Sequence, residues 1–140
     1  MKIIVGGNGK MGSLIRQTAI EQGHQVLANI DTHCLGQLAG LEKADMIIDF
    51  SHRDNLDWII DYVEKNHCAL VYGTTGLDEA QKARLTKLSE NYPVFYSANY
   101  SYGVAVFEEI LRVAVPLLKD RYDMELVETH HNQKQDAPSG

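Results

Sequence analysis

Seven residues near the start, Gly6-Gly7-Asn8-Gly9-Lys10-Met11-Gly12, restrict this chain more than any other stretch. They separate a β-branched run, Ile3-Ile4-Val5, from the amphipathic segment Met11 to Gln22. In that segment Leu14, Ile15, Thr18 and Ala19 recur at helical spacing, and Gly23 is placed to end the helix. The glycines fit GxGxxG at Gly7, Gly9 and Gly12, and GxxGxxG at Gly6, Gly9 and Gly12. A strand, a glycine loop and a helix in that order suit a pyrophosphate. One glycine permits the tight turn, one lets the phosphates approach the backbone, and one lets helix and strand pack closely. The start of the helix then offers free N–H groups and a partial positive charge. A glycine turn with no ligand is the alternative.

Asp31 extends the pattern. It follows a second apolar run, Gln25 to Ile30, and lies 19 residues beyond Gly12. A carboxylate there accepts from both ribose hydroxyls of an adenosine and repels a 2′-phosphate. Thr32 and His33 follow it rather than an arginine, which favours NADH over NADPH; Lys10 is the residue most able to alter that preference. A plain turn carboxylate is the competing reading.

The remaining chain alternates between the same two periods. Asp45 to Phe50, Cys68 to Tyr72, Val94 to Tyr96 and Met124 to Thr129 read as strands. Asp54 to Asn66 reads as a helix, with Leu56, Ile59, Ile60 and Val63 on one face. A further helix begins at Asp78, with Gln81 three residues on, and ends near Asn91 before Pro93. Val104 to Lys119 is a mostly apolar helix in which Pro116 marks a kink or an end. Strands separated by helices predict an α/β fold: a Rossmann-like, doubly wound parallel sheet with helices on both faces.

Composition narrows the function classes. The 140 residues are 44% apolar and 23% charged, as expected of a globular domain. Thirteen basic against 19 acidic residues give a net charge of −6, with no basic run, so neither nucleic acid nor an anionic membrane is an expected partner. No apolar stretch is long enough for a transmembrane helix. Met1-Lys2 lacks the pattern of a signal peptide, and Cys34 and Cys68 form no CxxC or zinc spacing. A reducing cytoplasm is the simplest compartment.

Three small polar turns close successive strands: Asp49-Phe50-Ser51, Gly73-Thr74-Thr75-Gly76 and Ser97-Ala98-Asn99-Tyr100-Ser101. Ligands of open parallel sheets bind outside the carboxyl ends of the strands, so these turns are expected to line one crevice. The densest chemistry comes last, in Glu128-Thr129-His130-His131 and the segment through Lys134 to Asp136-Ala137-Pro138-Ser139-Gly140. Adjacent histidines on a strand point opposite ways. Lys134, Ser139 and the Gly140 N–H suit carboxylates. No HxxxH spacing occurs, and no metal is assigned. A solvated loop is the alternative. His24, His33, His52 and His67 read as surface or helix-end residues, and Trp58, Tyr62, Tyr72 and Tyr92 as packing.

Taken in order, the glycine loop, Asp49-Phe50-Ser51, Gly73 to Gly76, Ser97 to Val104 and Glu128 to Gly140 resemble the dihydrodipicolinate reductases of lysine and diaminopimelate biosynthesis. The resemblance implies a cytoplasmic oxidoreductase that reduces a cyclic dicarboxylate with NADH or NADPH. By motif it implies an acid/base role for His130 and proton donation by Lys134. His131, Ser139 and Gly140 become substrate contacts. Gly6, Gly7, Asn8, Gly9, Lys10, Met11, Gly12, Asp31, Phe50, Ser51, Gly73, Thr74, Thr75, Ser97, Ala98, Asn99 and Tyr100 become cofactor contacts. It further implies a dinucleotide-binding domain over 1–100 and, over 101–140, the start of an α+β substrate-binding and oligomerisation domain. Complete members continue past Gly140 and form homo-tetramers. This chain is therefore expected to be part of a longer protein or a shortened relative, binding cofactor with little turnover by itself. A different Rossmann dehydrogenase sharing only the βαβ half, and a non-catalytic nucleotide-binding module, are the rival expectations.

Overall fold

A computed structural model of the chain describes residues 1–129 and Asn132. The chain divides into two compact units, Met1–Ala98 and Asn99–Gly140.

The first unit is built on five strands: β1 (Lys2–Gly6), β2 (Gln25–Ile30), β3 (Met46–Asp49), β4 (Ala69–Tyr72) and β5 (Val94–Tyr96). They pair in parallel in the order β2-β1-β3-β4-β5. The connections are α1 (Lys10–Glu21), α2 (Leu56–Asn66) and α3 (Glu79–Ser89), with short 3₁₀ turns at Leu35–Gly40 and Arg53–Asn55. Alternate strand side chains point to opposite faces. Ile4, Ile47, Leu70 and Tyr72 therefore pack with Leu56, Ile59 and Val63 of α2 and with Leu85 and Leu88 of α3. Ile3 and Val5 pack with Ile15 and Ala19 of α1. The two cores lie on the two faces of one sheet, which is the doubly wound α/β arrangement expected from the sequence.

Local signals set the element ends. Gly23, just past the C-cap of α1, takes φ +77°. Asp78 accepts from the Gln81 N–H while the Gln81 side chain accepts from the Asp78 N–H, completing a capping box. His67 caps α2 in the left-handed region at φ 53°. The 3₁₀ turn at Leu35–Gly40 has no apolar period in the sequence, because Gly36 and Gly40 interrupt it.

The second unit contains α4 (Tyr102–Leu118), opened by the Ser101 hydroxyl accepting from the Val104 N–H. Pro116 lies within its last turn, and the helix ends two residues later. The strand expected over Met124 to Thr129 does not form: residues 123–129 adopt no regular structure. Its side chains suit a strand, but a strand exists only as one side of a ladder. Val127 is 85% exposed and has no ladder partner among the described residues. No helix among the described residues is long and apolar enough to cross a membrane.

Candidate functional site

Because β1 lies between β2 and β3, the winding of the sheet reverses beside it. β1 and β3 stay paired through Gly6 and Asp49, and the crevice outside the carboxyl ends at such a reversal is where open α/β sheets hold their ligands. A cleft of about 620 Å³ occupies this position. The glycine loop contributes Gly7, Asn8, Gly9, Lys10 and Met11. The end of β2 adds Asp31, Thr32 and His33, and the turn after β3 adds Phe50, Ser51, His52, Asp54 and Asn55.

Each glycine of the loop has a distinct task. Gly12 is buried, and a Cβ there would lie 2.1 Å from the Gly7 carbonyl oxygen. Gly7 turns the chain at φ +92°, and a Cβ on it would lie 2.6 Å from the Ser51 Cβ. A Cβ on Gly6 would sit 2.0 Å from the Asp49 Oδ1, so this glycine makes room for the carboxylate behind the cleft. Gly9 differs: it N-caps α1 with no side-chain cap, and a Cβ there would meet nothing within 4 Å. The first intrahelical bond runs from the Ser13 N–H to the Gly9 carbonyl, at 3.0 Å. The N–H groups of Lys10, Met11 and Gly12 thus have no partner within the helix. Open space above Gly9 beside unpaired helix-start donors fits a pyrophosphate.

Asp31 faces this cradle. Its Oδ2 accepts from the Asn8 side-chain amide at 2.6 Å and its Oδ1 from the His33 N–H at 2.9 Å. The Asn8 amide first, then the His33 N–H, holds the carboxyl below the ordinary aspartate range. The Cys34 thiol adds a contact to Oδ1 at 3.4 Å. A carboxylate fixed in this way, ionised at neutral pH, fits a ribose diol.

The β3 turn forms the opposite wall. Phe50 lies over Gly73, where an added Cβ would be 2.3 Å from the ring. Thr74 is buried, and its hydroxyl turns inward, accepting from the Ser51 N–H at 2.8 Å and donating to Asp49 Oδ2 at 2.5 Å. Gly73, Thr74 and Thr75 do not line this cleft. The first two support the wall from behind.

Gly6 and Gly12 likewise lie outside the lining. Ser97 and Ala98 close the first unit after β5, and the Ser97 N–H bonds to the Tyr72 carbonyl at 3.2 Å. Asn99 and Tyr100 belong to the second unit, where Asn99 Oδ1 accepts from the Ser101 N–H at 2.7 Å. His130, His131, Lys134, Ser139 and Gly140 lie outside the described residues. Among the described residues no group of three or more His, Cys, Asp or Glu could hold a metal ion.

Two residues that sequence reasoning missed shape the site. Asn29 sits at the buried end of β2 and donates to the carbonyls of Gly7 and Gly12, at 3.2 and 3.3 Å, so it sets the curvature of the loop. Asn55 accepts from Trp58 Nε1 at 2.9 Å and donates to Ser51 Oγ at 2.6 Å. A polar residue inside an apolar strand or helix start was the available signal in both cases.

Comparison with known proteins settles the family. Residues 1–100 match the family model described as "Dihydrodipicolinate reductase, N-terminus", and residues 103–140 match "Dihydrodipicolinate reductase, C-terminus". The chain belongs to the dihydrodipicolinate reductase family. Relatives from Staphylococcus aureus strains MSSA476, MW2 and JH9 are each named 4-hydroxy-tetrahydrodipicolinate reductase. Each is 43% identical over 148 aligned positions, which cover 100% of this chain and 60% of the relative. This member of the dihydrodipicolinate reductase family thus spans 60% of the length of those relatives. The cleft lies wholly within the part matched by the N-terminal model.

Proposed function

We propose that this chain is the pyridine-nucleotide-binding portion of a 4-hydroxy-tetrahydrodipicolinate reductase of lysine and diaminopimelate biosynthesis. The observation that carries the reading is the cleft at the β1/β3 reversal, with unpaired α1 donors above Gly9 on one side and the Asp31 carboxylate on the other. Gly7, Asn8, Gly9, Lys10 and Met11 receive the pyrophosphate, Asp31 the adenosine ribose, and Phe50 and Ser51 border the bound chain. Gly6, Gly12, Gly73 and Thr74 hold those groups in place. Thr75, Ser97, Ala98, Asn99 and Tyr100 rest on the family resemblance.

A reduced nicotinamide, when bound, supplies the hydride. The protein's own part is to hold a doubly charged substrate and to deliver a proton. His131, Ser139 and the Gly140 N–H suit the substrate carboxylates. Lys134 and His130 are the proton donors available near neutral pH, since lysine is charged there and histidine titrates close by. NADH is the preferred cofactor, because Asp31 repels a 2′-phosphate and no arginine follows it. The compartment is cytoplasmic, and a complete member of the family assembles as a homo-tetramer.

Calorimetric titration of the 140-residue chain with NADH and then NADPH tests the cofactor reading. Tighter binding of NADH is expected; no binding by a folded chain would refute it. In a full-length protein, His130→Ala and Lys134→Ala should each cut turnover while leaving NADH affinity nearly unchanged. A loss of NADH affinity instead would move both residues into the cofactor site.

A further inference from the structure

Asp49 is the one fully buried carboxylate among the described core residues, at 0% exposure. It ends β3 directly behind the cleft wall, and among the described residues no cation pairs with it: its partners are two hydroxyls and the Ser51 backbone N–H. Ser51 Oγ donates to Oδ1 and Thr74 Oγ1 donates to Oδ2, both at 2.5 Å. Each hydroxyl also accepts a bond from another element. Ser51 Oγ accepts from the Asn55 amide at 2.6 Å, and Thr74 Oγ1 accepts from the Ser51 N–H at 2.8 Å. Asn55 in turn accepts from Trp58 Nε1. Trp58 Nε1 and the Ser51 N–H can only donate, so Asn55 Oδ1 and Thr74 Oγ1 accept from them, and the two hydroxyls are left to donate to Asp49. Burial pushes its carboxyl above the ordinary aspartate range, and the Ser51 and Thr74 hydroxyls together with the Ser51 N–H only partly offset that.

A buried, unpaired carboxylate costs the fold stability, so its presence calls for another reason. Ser51 and Asn55 line the cleft, whereas Asp49 and Thr74 do not. We propose that Asp49 is a positioning residue for the dinucleotide: its carboxylate, through the Ser51 and Thr74 hydroxyls, locks the β3 turn against the glycine loop. Gly6 and Gly7 belong to the same device. Each lacks a side chain where Asp49 and Ser51, respectively, press against the loop. With the lock removed, the Ser51 hydroxyl loses its acceptor and the wall loses its fixed distance from Gly7, although Trp58 still holds Asn55. The inference rests on the dinucleotide reading of the cleft.

The test compares Asp49→Asn, Thr74→Val and Thr74→Ser with wild type in the 140-residue chain, by NADH titration and thermal unfolding. Val keeps the shape of Thr74 and loses the hydroxyl; Ser keeps the hydroxyl and loses a methyl. Asp49→Asn and Thr74→Val should each weaken NADH binding about tenfold, the scale of one lost charge-assisted hydrogen bond, while Thr74→Ser stays within about twofold. A purely structural role would not separate Val from Ser in this way, because affinity would then follow the unfolding temperature. Affinity that tracks unfolding temperature across both Thr74 variants overturns the proposal, as does unchanged binding by Asp49→Asn and Thr74→Val. If Asp49→Asn does not fold, the Thr74 pair decides. A folded wild type that binds no NADH overturns the dinucleotide reading and this inference with it; a wild type that binds beside unaffected variants overturns this inference alone.

Discussion

Gly9→Ala separates what the fold requires from what a ligand requires. Gly9 sits at φ −78°, ψ −166°, a conformation open to any residue, and an added Cβ meets nothing within 4 Å. Two small terms act on stability. Replacing glycine at a compatible position restricts the unfolded chain and stabilises by about 0.4–1 kcal/mol. Alanine is a poorer N-cap than glycine and costs roughly 0.5–1 kcal/mol. They nearly cancel, so the unfolding temperature should move by no more than a few degrees, given about 4–8 °C per kcal/mol for a unit this size. Binding should respond differently. The methyl enters open space at the start of α1, on the phosphate's expected path to the N–H groups there, and should hinder its approach. Charge-assisted hydrogen bonds contribute about 1.5–3 kcal/mol each, so losing one should weaken NADH by roughly 10- to 100-fold. Circular dichroism melting and calorimetry on the same sample check both halves. Unchanged affinity would refute the assignment of this open space to the pyrophosphate.

Three further outcomes are expected. Gly6→Ala places a methyl 2.0 Å from the Asp49 carboxylate and should destabilise by about 1–3 kcal/mol, seen as a melting temperature lowered by several degrees; an unchanged melt would contradict the packing described. Asp31 has a lowered carboxyl, so its ionised contribution is present above the ordinary aspartate value and is lost only as pH falls through the depressed one. Asp31→Ala should therefore weaken NADH and narrow its advantage over NADPH at pH 7; an unaltered NADH-to-NADPH ratio, measured by titration, would remove Asp31 from the ribose site. Burial pushes the Cys68 thiol up to about 11, and the residue is 2% exposed, so it should resist a disulfide reagent at pH 8 until denaturant is added. Rapid reaction in the native protein would argue against its placement in the core.

Much of this was legible in the sequence because the signals are local. Ile3-Ile4-Val5 before the glycines, Gly23 after α1 and the Asp78/Gln81 pair each act within one turn of chain. The supports of the cleft are not local. Asn29 reaches Gly7, 22 residues away, and Thr74 reaches Asp49 at 25. No periodicity marks such partners, and only the folded sheet brings them together. Gly-Thr-Thr-Gly read as a lining turn, yet the Thr74 hydroxyl faces inward because a buried carboxylate requires donors. The segment Met124 to Thr129 has strand composition without a ladder partner among the described residues, and composition alone does not make a strand.

The turn after β3 has a consequence for how such sequences change over generations. Asp49, Phe50 and Ser51 press in succession on Gly6, Gly73 and Gly7, so three consecutive side chains are each matched to a vacancy on another strand end. Effects at touching positions do not add. A larger residue at any of the three glycines collides with the turn, and a smaller residue in the turn leaves a void that the glycine cannot fill. Single-step mutational routes away from this arrangement therefore pass through impaired intermediates, and the six positions are expected to be inherited as a block. Substitution at one should be tolerated only in descendants where its partner has already changed.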